Sequence, residues 1–409
     1  MEATREFVYQ KFSEYYRDPS TIIPAPPLFE QREFAYLMFK ERFMVRHRRF
    51  AEFSKFRAML AETTPSDIYH SCAYYENPDF DMDKKGWLGA DLVFDIDADH
   101  IPTKCDKIHD EYKCAKCGFS GRGIIPEVCP VCKTTKFNSK TWPCELCIQS
   151  ACDETAKLLD ILENDFGFSQ NELHVYFSGH RGYHVHIENE VVKSLDALAR
   201  KEIVDYIIGL GIKLFEKKAR KARGANRFRL HNFGWNRRLK IGIKNFLSNA
   251  SREDFIKLGF DINKIELMTE KKNTLVERCL DDGYWSGVLR VGDGTWMKLA
   301  EYIRDQQASK IDTVVTTDIH RLIRMNGTLH GKTGLKKVEF PAKILQDFDP
   351  FTGAVAFKKG EVKVLVSEAP EFKLGGETLG PYRDQTVELP VAAAVMLICK
   401  RRAEVTNNV

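Results

Sequence analysis

The run Leu92-Val93-Phe94-Asp95-Ile96-Asp97 sets two carboxylates two residues apart inside an apolar segment. Side chains alternate along a strand, so Leu92, Phe94 and Ile96 face one way while Val93, Asp95 and Asp97 face the other, with the acid-bearing Cα atoms ~6.8 Å apart. Carboxylates so close on a stiff, half-buried element repel each other and lose hydration, a cost offset when a hard cation such as Mg²⁺ or Mn²⁺ sits between them. The pair reads as a divalent-metal platform. Strands with acids that merely face solvent are common, and Asp-x-Asp alone does not separate the two readings. The rest of the chain favours the first.

The chain has eleven cysteines, eight of them between Cys105 and Cys152, directly after the acidic strand. Cys114-x-x-Cys117 and Cys129-x-x-Cys132 form two thiolate knuckles, the spacing of a closed tetrahedral zinc site. Cys144 and Cys147 need two further ligands, which Cys105 and His109 can supply, with Cys152 as the substitute for His109. Two structural Zn²⁺ ions are expected, bracing a loop beside the chemistry and taking no part in it. A disulfide framework fits less well, because the amino terminus lacks the order of a secretory signal.

Downstream, Leu173-His-Val-Tyr-Phe177 reads as an alternating strand that returns through Ser178-Gly-His180-Arg181-Gly-Tyr-His184. Gly179 and Gly182 permit a tight turn, and the return strand places His184 and His186 on one face. Ser178, His180, Arg181 and His184 suit an anion, although surface histidines on a plain hairpin would read alike. Farther on, Asp312 is a third acid. Thr316 or Thr317 is expected to cap a helix with a buried stripe of Ile319, Leu322 and Ile323, leaving Arg321 and Arg324 polar, before the basic turn His330-Gly-Lys-Thr-Gly334. A P-loop is excluded, since its first glycine would fall on Asn326.

With 409 residues, 43% hydrophobic and a net charge of +4, the chain is an ordinary soluble protein whose overall charge does not by itself imply nucleic acid. The distribution says more. No acid occurs from Lys217 to Arg252, where basic residues interleave with Phe228, Phe233 and Trp235, and a second basic cluster runs from Arg42 through Arg46 to Arg49. Such stretches suit phosphate contacts and base stacking on a single strand. The longest apolar run, Val391 to Cys399, is too short to span a bilayer, and an intracellular protein is expected.

Taken in order, Asp95-Ile-Asp97, the cysteine ligands, Ser178-Gly-His-Arg181-Gly-Tyr-His184, and Asp312 leading to His330-Gly-Lys-Thr-Gly resemble the small, catalytic subunit of archaeal and eukaryotic DNA primases, over roughly residues 28 to 345. Arg32-Glu-Phe34 followed by Phe-Met-Val-Arg46 resembles that family's amino-terminal stretch. The resemblance implies that Asp95, Asp97 and Asp312 bind two catalytic Mg²⁺ or Mn²⁺ ions, with Asp318 the competing third acid. It implies that Ser178, Arg181, His184, Arg324 and His330 hold the triphosphate of an incoming nucleotide, and that Arg46 serves template binding or initiation. His180 stands where eukaryotic members have arginine, which leaves its phosphate role open. The family's zinc ligands correspond to Cys105, His109, Cys144 and Cys147, and the Cys114 to Cys132 knuckles look like an inserted ribbon.

The fold expected is a mixed α/β (α+β) primase catalytic core from residues 1–190 and 300–357, carrying a zinc-binding insertion at 102–152. A mainly helical subdomain is expected at 191–300, with helices at Ala197 to Phe215 and Arg252 to Lys257; the role of residues 358–409 is unknown, with Leu389 to Lys400, apolar and then basic, expected to be a packing helix rather than a docking segment for a partner. The function implied is de novo synthesis of short RNA primers, with DNA also open, on single-stranded DNA from nucleoside triphosphates. A large primase subunit is the expected partner, and the cytoplasm of an archaeal-type cell, beside the nucleoid, the expected location. Two other classes compete: a glycosyltransferase holding a nucleotide sugar through Asp-x-Asp, which would have little use for a third acid, and a non-catalytic zinc ribbon, for which paired acids beside phosphate would be a liability.

Overall fold

The computed structural model describes residues 2–41, 43–212, 232–281 and 293–406. Arg42 and the first half of the acid-free basic stretch, Lys217 to Arg229, lie outside them. The chain forms two compact units, one from Met1–Thr155, Gln170–Arg200 and Asp312–Val409, the other from Ala156–Ser169 and Lys201–Ile311.

The first unit holds two four-stranded sheets. One runs in the order Val338–Phe340, Leu173–Phe177, Gly182–Ile187, Leu92–Asp97, every neighbouring pair antiparallel. The acid strand is thus an end strand, and its inner neighbour is the histidine strand Gly182–Ile187. The other runs Leu322–Arg324, Asp67–Ser71, Phe34–Leu37, Met44–Arg48. Arg32 and Asp91, just before a strand of each sheet, form a fully buried ion pair at 2.7 Å. The main apolar core collects Phe12, Phe34, Phe56, Leu60, Ile68 and Leu329 with Val391 and Val395.

Those last two residues belong to the tail, in the segment Leu389 to Lys400 expected to be a packing helix. Helix Val391–Cys399 is almost wholly buried, and a three-stranded sheet in the order Tyr382–Pro390, Glu361–Ala369, Ala403–Val405 flanks it. The cysteine-rich insertion is a three-stranded ribbon, Ser120–Arg122, Glu111–Cys114, Phe137–Lys140, followed by helix Glu145–Asn164.

One expected element is corrected. The helix anticipated across residues 316–324 is instead a short helix, Thr313–Thr317, capped by Asp312, and then the strand Leu322–Arg324. The Asp312 carboxylate accepts from the amides of Val314 and Val315, which starts the helix earlier than Thr316 or Thr317 could. Asp318 turns to extended backbone, and Leu322-Ile-Arg324 finds a ladder partner in Tyr69–Ser71, which outweighs its weak helical periodicity.

The second unit is helical among its described residues, with Gly234–Asn249, Arg252–Lys257, Ile262–Glu270, Lys272–Asp281 and Asp293–Gln307. Leu239, Ile243, Phe255, Trp296 and Ile303 fill its core. Part of the basic stretch turns inward here. Arg238 is buried and bonds Asp160 at 2.6 Å and Asp165 at 2.7 Å, and Trp235 is buried as well. Helix Ala197–Ile207 ends before the expected Phe215, which lies outside the described residues. Among the described residues no helix is long and apolar enough to cross a membrane.

Candidate active site

The acid strand and the histidine strand pair Asp95 with His184 and Asp97 with Gly182. The Asp95 carbonyl points away from that ladder and accepts the Asp312 amide at 2.8 Å. Asp95 and His184 are therefore a non-hydrogen-bonded pair, the kind whose side chains approach most closely, and His184 Nε2 lies 3.5 Å from Asp95 Oδ1. Gly182 fits because a Cβ there would stand 2.3 Å from the Ile96 carbonyl and 3.0 Å from Asp97 Cα. One backbone bond thus brings a residue more than two hundred positions away onto the free edge of the acid strand.

The electrostatics follow from that packing. Burial, then the charges of Asp97 and Asp312, push the Asp95 carboxyl up to about 7. Burial and Asp99 also raise Asp97, whose Oδ1 accepts the Asp99 amide at 2.9 Å. Among the described residues, the carboxylate-containing trio whose donor atoms all lie within 4.8 Å of one another is Asp97, Asp99 and His180. Asp95 and Asp312 adjoin it without closing to that distance. Asp318 serves another purpose, its carboxylate accepting the His320 amide at 3.0 Å.

The turn from Ser178 to Gly182 is closed by the Ser178 amide on the Gly182 carbonyl at 2.9 Å. The second basic turn docks against it, with Thr333 Oγ1 donating to the Gly179 carbonyl at 2.5 Å and the rings of His180 and His330 stacked at 5.2 Å. Gly179 has φ +87°, and a Cβ on it would meet His330 Cβ at 3.1 Å. Burial holds His180, His184 and His330 well below the ordinary imidazole value, which favours their uncharged, hydrogen-bonding forms. Among the described residues, His184 Nδ1 is buried with no hydrogen-bond partner.

The two arginines are engaged by protein carboxylates. Arg324 donates to Asp67 at 2.7 Å and to the Leu329 carbonyl at 3.1 Å. Arg181, only 1% exposed, takes Asp110 in a fork at 2.7 and 3.1 Å and also donates to Asp99. Arg46 stands apart on strand Met44–Arg48, its side chain 41% exposed and steadied by Glu33 at 3.1 Å.

A family model described as DNA primase small subunit matches residues 134–341. Curated proteins named DNA primase small subunit PriS are similar over nearly the full length. The one from Nitrosopumilus maritimus is 31% identical over 407 residues, covering 99% of both chains. That from Methanococcoides burtonii is 32% identical over 98% of both, and that from Archaeoglobus fulgidus 33% over 97% of both. The chain belongs to the DNA primase small-subunit family. It is accordingly a primase catalytic subunit, a nucleotidyltransferase that synthesises primers in DNA replication.

In this primase subunit the cysteines form two sets, each with one donor atom per residue within 4.8 Å: Cys105, His109, Cys144, Cys147 and Cys114, Cys117, Cys129, Cys132. Either could hold a metal ion. Cys152 joins neither, its thiol instead near the Leu345 carbonyl. His109 presents Nε2 to Cys144 at 3.0 Å while Nδ1 bonds Asp110 at 2.8 Å, so Asp110 orients both His109 and Arg181.

Asp67, Asp99, Asp110, Lys337 and Lys400 escaped the sequence reading. Lys337 is fully buried, donates to the Arg324 carbonyl at 2.9 Å and lies 3.3 Å from His186 Nε2. Asp99 and Asp110 stand beside residues that were singled out, so nearness was a usable signal. Nothing local marks Asp67, Lys337 or Lys400.

Proposed function

We propose that this subunit extends and starts chains by two-metal nucleotidyl transfer at Asp95, Asp97 and Asp312, using a single-stranded DNA template. The single observation that supports the reading is the Asp312 amide on the Asp95 carbonyl, which ties the third acid's backbone to the acid strand. The residues suit hard cations, because a carboxyl pushed up to about 7 by burial first and then by two neighbouring acids is stabilised in its charged form by positive charge. A pair of Mg²⁺ or Mn²⁺ ions ~3.5–4 Å apart would lower the pKa of an attacking 3′-hydroxyl and neutralise departing pyrophosphate.

The chain's own groups supply the rest. Ser178, His180, His184 and His330 line the packed turns and offer neutral hydrogen bonds to the triphosphate, which keeps them useful without a proton change. Arg324 adds charge from the other sheet. Arg181 contributes by holding Asp99, and through its amide Asp97, at a fixed distance from the turn. Such positioning is where much of the acceleration in phosphoryl chemistry arises. Arg46, exposed and steadied by Glu33, is placed to touch a template backbone, and a dispersed, weak grip suits an enzyme that must begin anywhere.

Both cysteine sets suit structural Zn²⁺. Their sulfur separations, 3.5 and 3.7 Å in one and 3.5 and 3.6 Å in the other, are near the edge of a tetrahedron with Zn–S of about 2.3 Å. The Asp110 bond to His109 Nδ1 is the supporting contact that zinc-bound histidines keep. Primers of RNA, a large primase subunit as partner, and work in the cytoplasm belong to the same reading. With Mg²⁺ or Mn²⁺, single-stranded DNA and free nucleotides, the protein is expected to make short new strands. Asp97→Ala is expected to make none while its zinc content stays unchanged, and synthesis by that variant would overturn the reading.

A further inference from the structure

Lys400 ends the buried helix Val391–Cys399, far in sequence from every residue of the site. Its side chain is nevertheless buried against the Ser178 to Gly182 turn, Nζ donating to His180 Nε2 at 2.7 Å. Thr141 Oγ1 shares that imidazole nitrogen at 3.1 Å. Among the described residues Lys400 makes no ion pair. The charges felt most strongly are of its own sign, Arg181 and Lys332, with the Cys399 thiol and then Asp99 the weaker opposing groups. Arg181 is committed to Asp110 and Asp99.

A buried ammonium held by a neutral ring among other cations is costly, and folds keep such groups where an anion compensates them. The carboxylate felt here, Asp99, is already taken by Arg181, so an anion for Lys400 itself must arrive. We infer that Lys400 is a triphosphate-binding residue, contributed to the nucleotide site by the C-terminal segment, with His180 as the rest on which its ammonium is aimed. The inference rests on the proposed placement of the nucleotide at the Ser178 to Gly182 turn. It also gives the carboxyl-terminal segment a part in the chemistry beyond packing. Burial first, then Arg181 and Lys332, lower the Lys400 ammonium to about 7, and a polyanion beside it would secure its proton.

The test uses the full chain with Ca²⁺ and compares the affinities of ATP and AMP for the parent, Lys400→Met and Lys400→Arg. Lys400→Met is expected to bind ATP about tenfold to a hundredfold more weakly, the worth of a hydrogen bond to a charged group, with AMP unchanged. Lys400→Arg is expected to recover most of the ATP affinity. The Met variant should melt no lower than the parent, because it removes a buried charge. Unchanged ATP affinity in the Met variant overturns the inference. Equal losses for ATP and AMP, or a lower melting temperature, would mark Lys400 as a structural prop and overturn it too. A parent that does not prefer ATP to AMP would remove the nucleotide site itself, whereas a parent that prefers ATP beside an indifferent Met variant removes Lys400 alone.

Discussion

Asp312 holds Asp95 by backbone and begins a helix by side chain: its amide donates to the Asp95 carbonyl at 2.8 Å while its Oδ1 accepts the Val314 amide at 2.9 Å. Both helix-capping bonds fall on Oδ1, and among the described residues none is formed by Oδ2. Asparagine caps a helix about as well as aspartate, so Asp312→Asn should keep the fold and its melting temperature. Primer synthesis should fall by more than the ~10–100-fold that losing a mere supporting residue costs. Asp312→Ala should add a loss of about 1 kcal/mol in denaturant unfolding. Full activity in the Asn variant would show that only the cap matters.

The raised Asp95 carboxyl has a sign that can be worked out. In the unfolded chain it loses its proton near 3.8, while in the fold it keeps it up to about 7, so across that window the folded state binds more protons and loses stability as pH rises. Asp95→Asn should therefore raise the melting temperature of metal-free protein at pH 8 and leave it nearly unchanged at pH 4. A shift of equal size at both values would exclude the charge as its cause. Saturating Mn²⁺ should shrink the difference at pH 8.

Asp110 touches both His109 of the Cys105, His109, Cys144, Cys147 set and Arg181 of the turn. Its replacement by Ala strands Arg181, which is buried, with Asp99 as its remaining carboxylate. Removing one member of a buried pair costs about 3–5 kcal/mol, read by denaturant titration. Loss of the His109 contact should also weaken zinc retention by ~10–100-fold in a chelator competition. Normal zinc affinity together with lost stability would restrict Asp110 to the Arg181 pair.

Metal analysis should return two zinc ions per chain, and Cys129→Ser should return one. A single zinc in the parent removes one of the two sites. The Cys129 variant should keep its core activity, since the inner knuckles brace the ribbon Glu111–Cys114 and its partners and share no ligand with the acids.

Gly182→Ala should be among the most damaging single changes in the core. The added methyl meets the Ile96 carbonyl at 2.3 Å, so the histidine and acid strands must part. A loss of about 1–3 kcal/mol is expected in equilibrium unfolding, with synthesis falling further than stability because Asp95 and His184 separate. An Ala variant with parental activity would show that the strand pairing tolerates the shift.

The amino-acid sequence by itself determined whatever depends on neighbours in the chain. The alternation of Leu92 to Asp97, the hairpin through Ser178 to Ile187 and the two cysteine pairs of the ribbon are all local patterns, set by side-chain direction and ligand spacing. The order of motifs also pointed to the family. The segment after Asp312 is not decided locally, because a short β-branched run fits helix and strand alike and the pairing of Leu322–Arg324 with Tyr69–Ser71 is a long-range fact. Tertiary structure alone decided that Arg181 faces Asp110, that Arg238 turns inward, that Asp312 lies on the edge of the acid strand and that Lys400 reaches His180. Each of these is a choice of partner for a polar group leaving water, and such a group can be satisfied by any suitable side chain the fold brings near, at whatever distance along the chain.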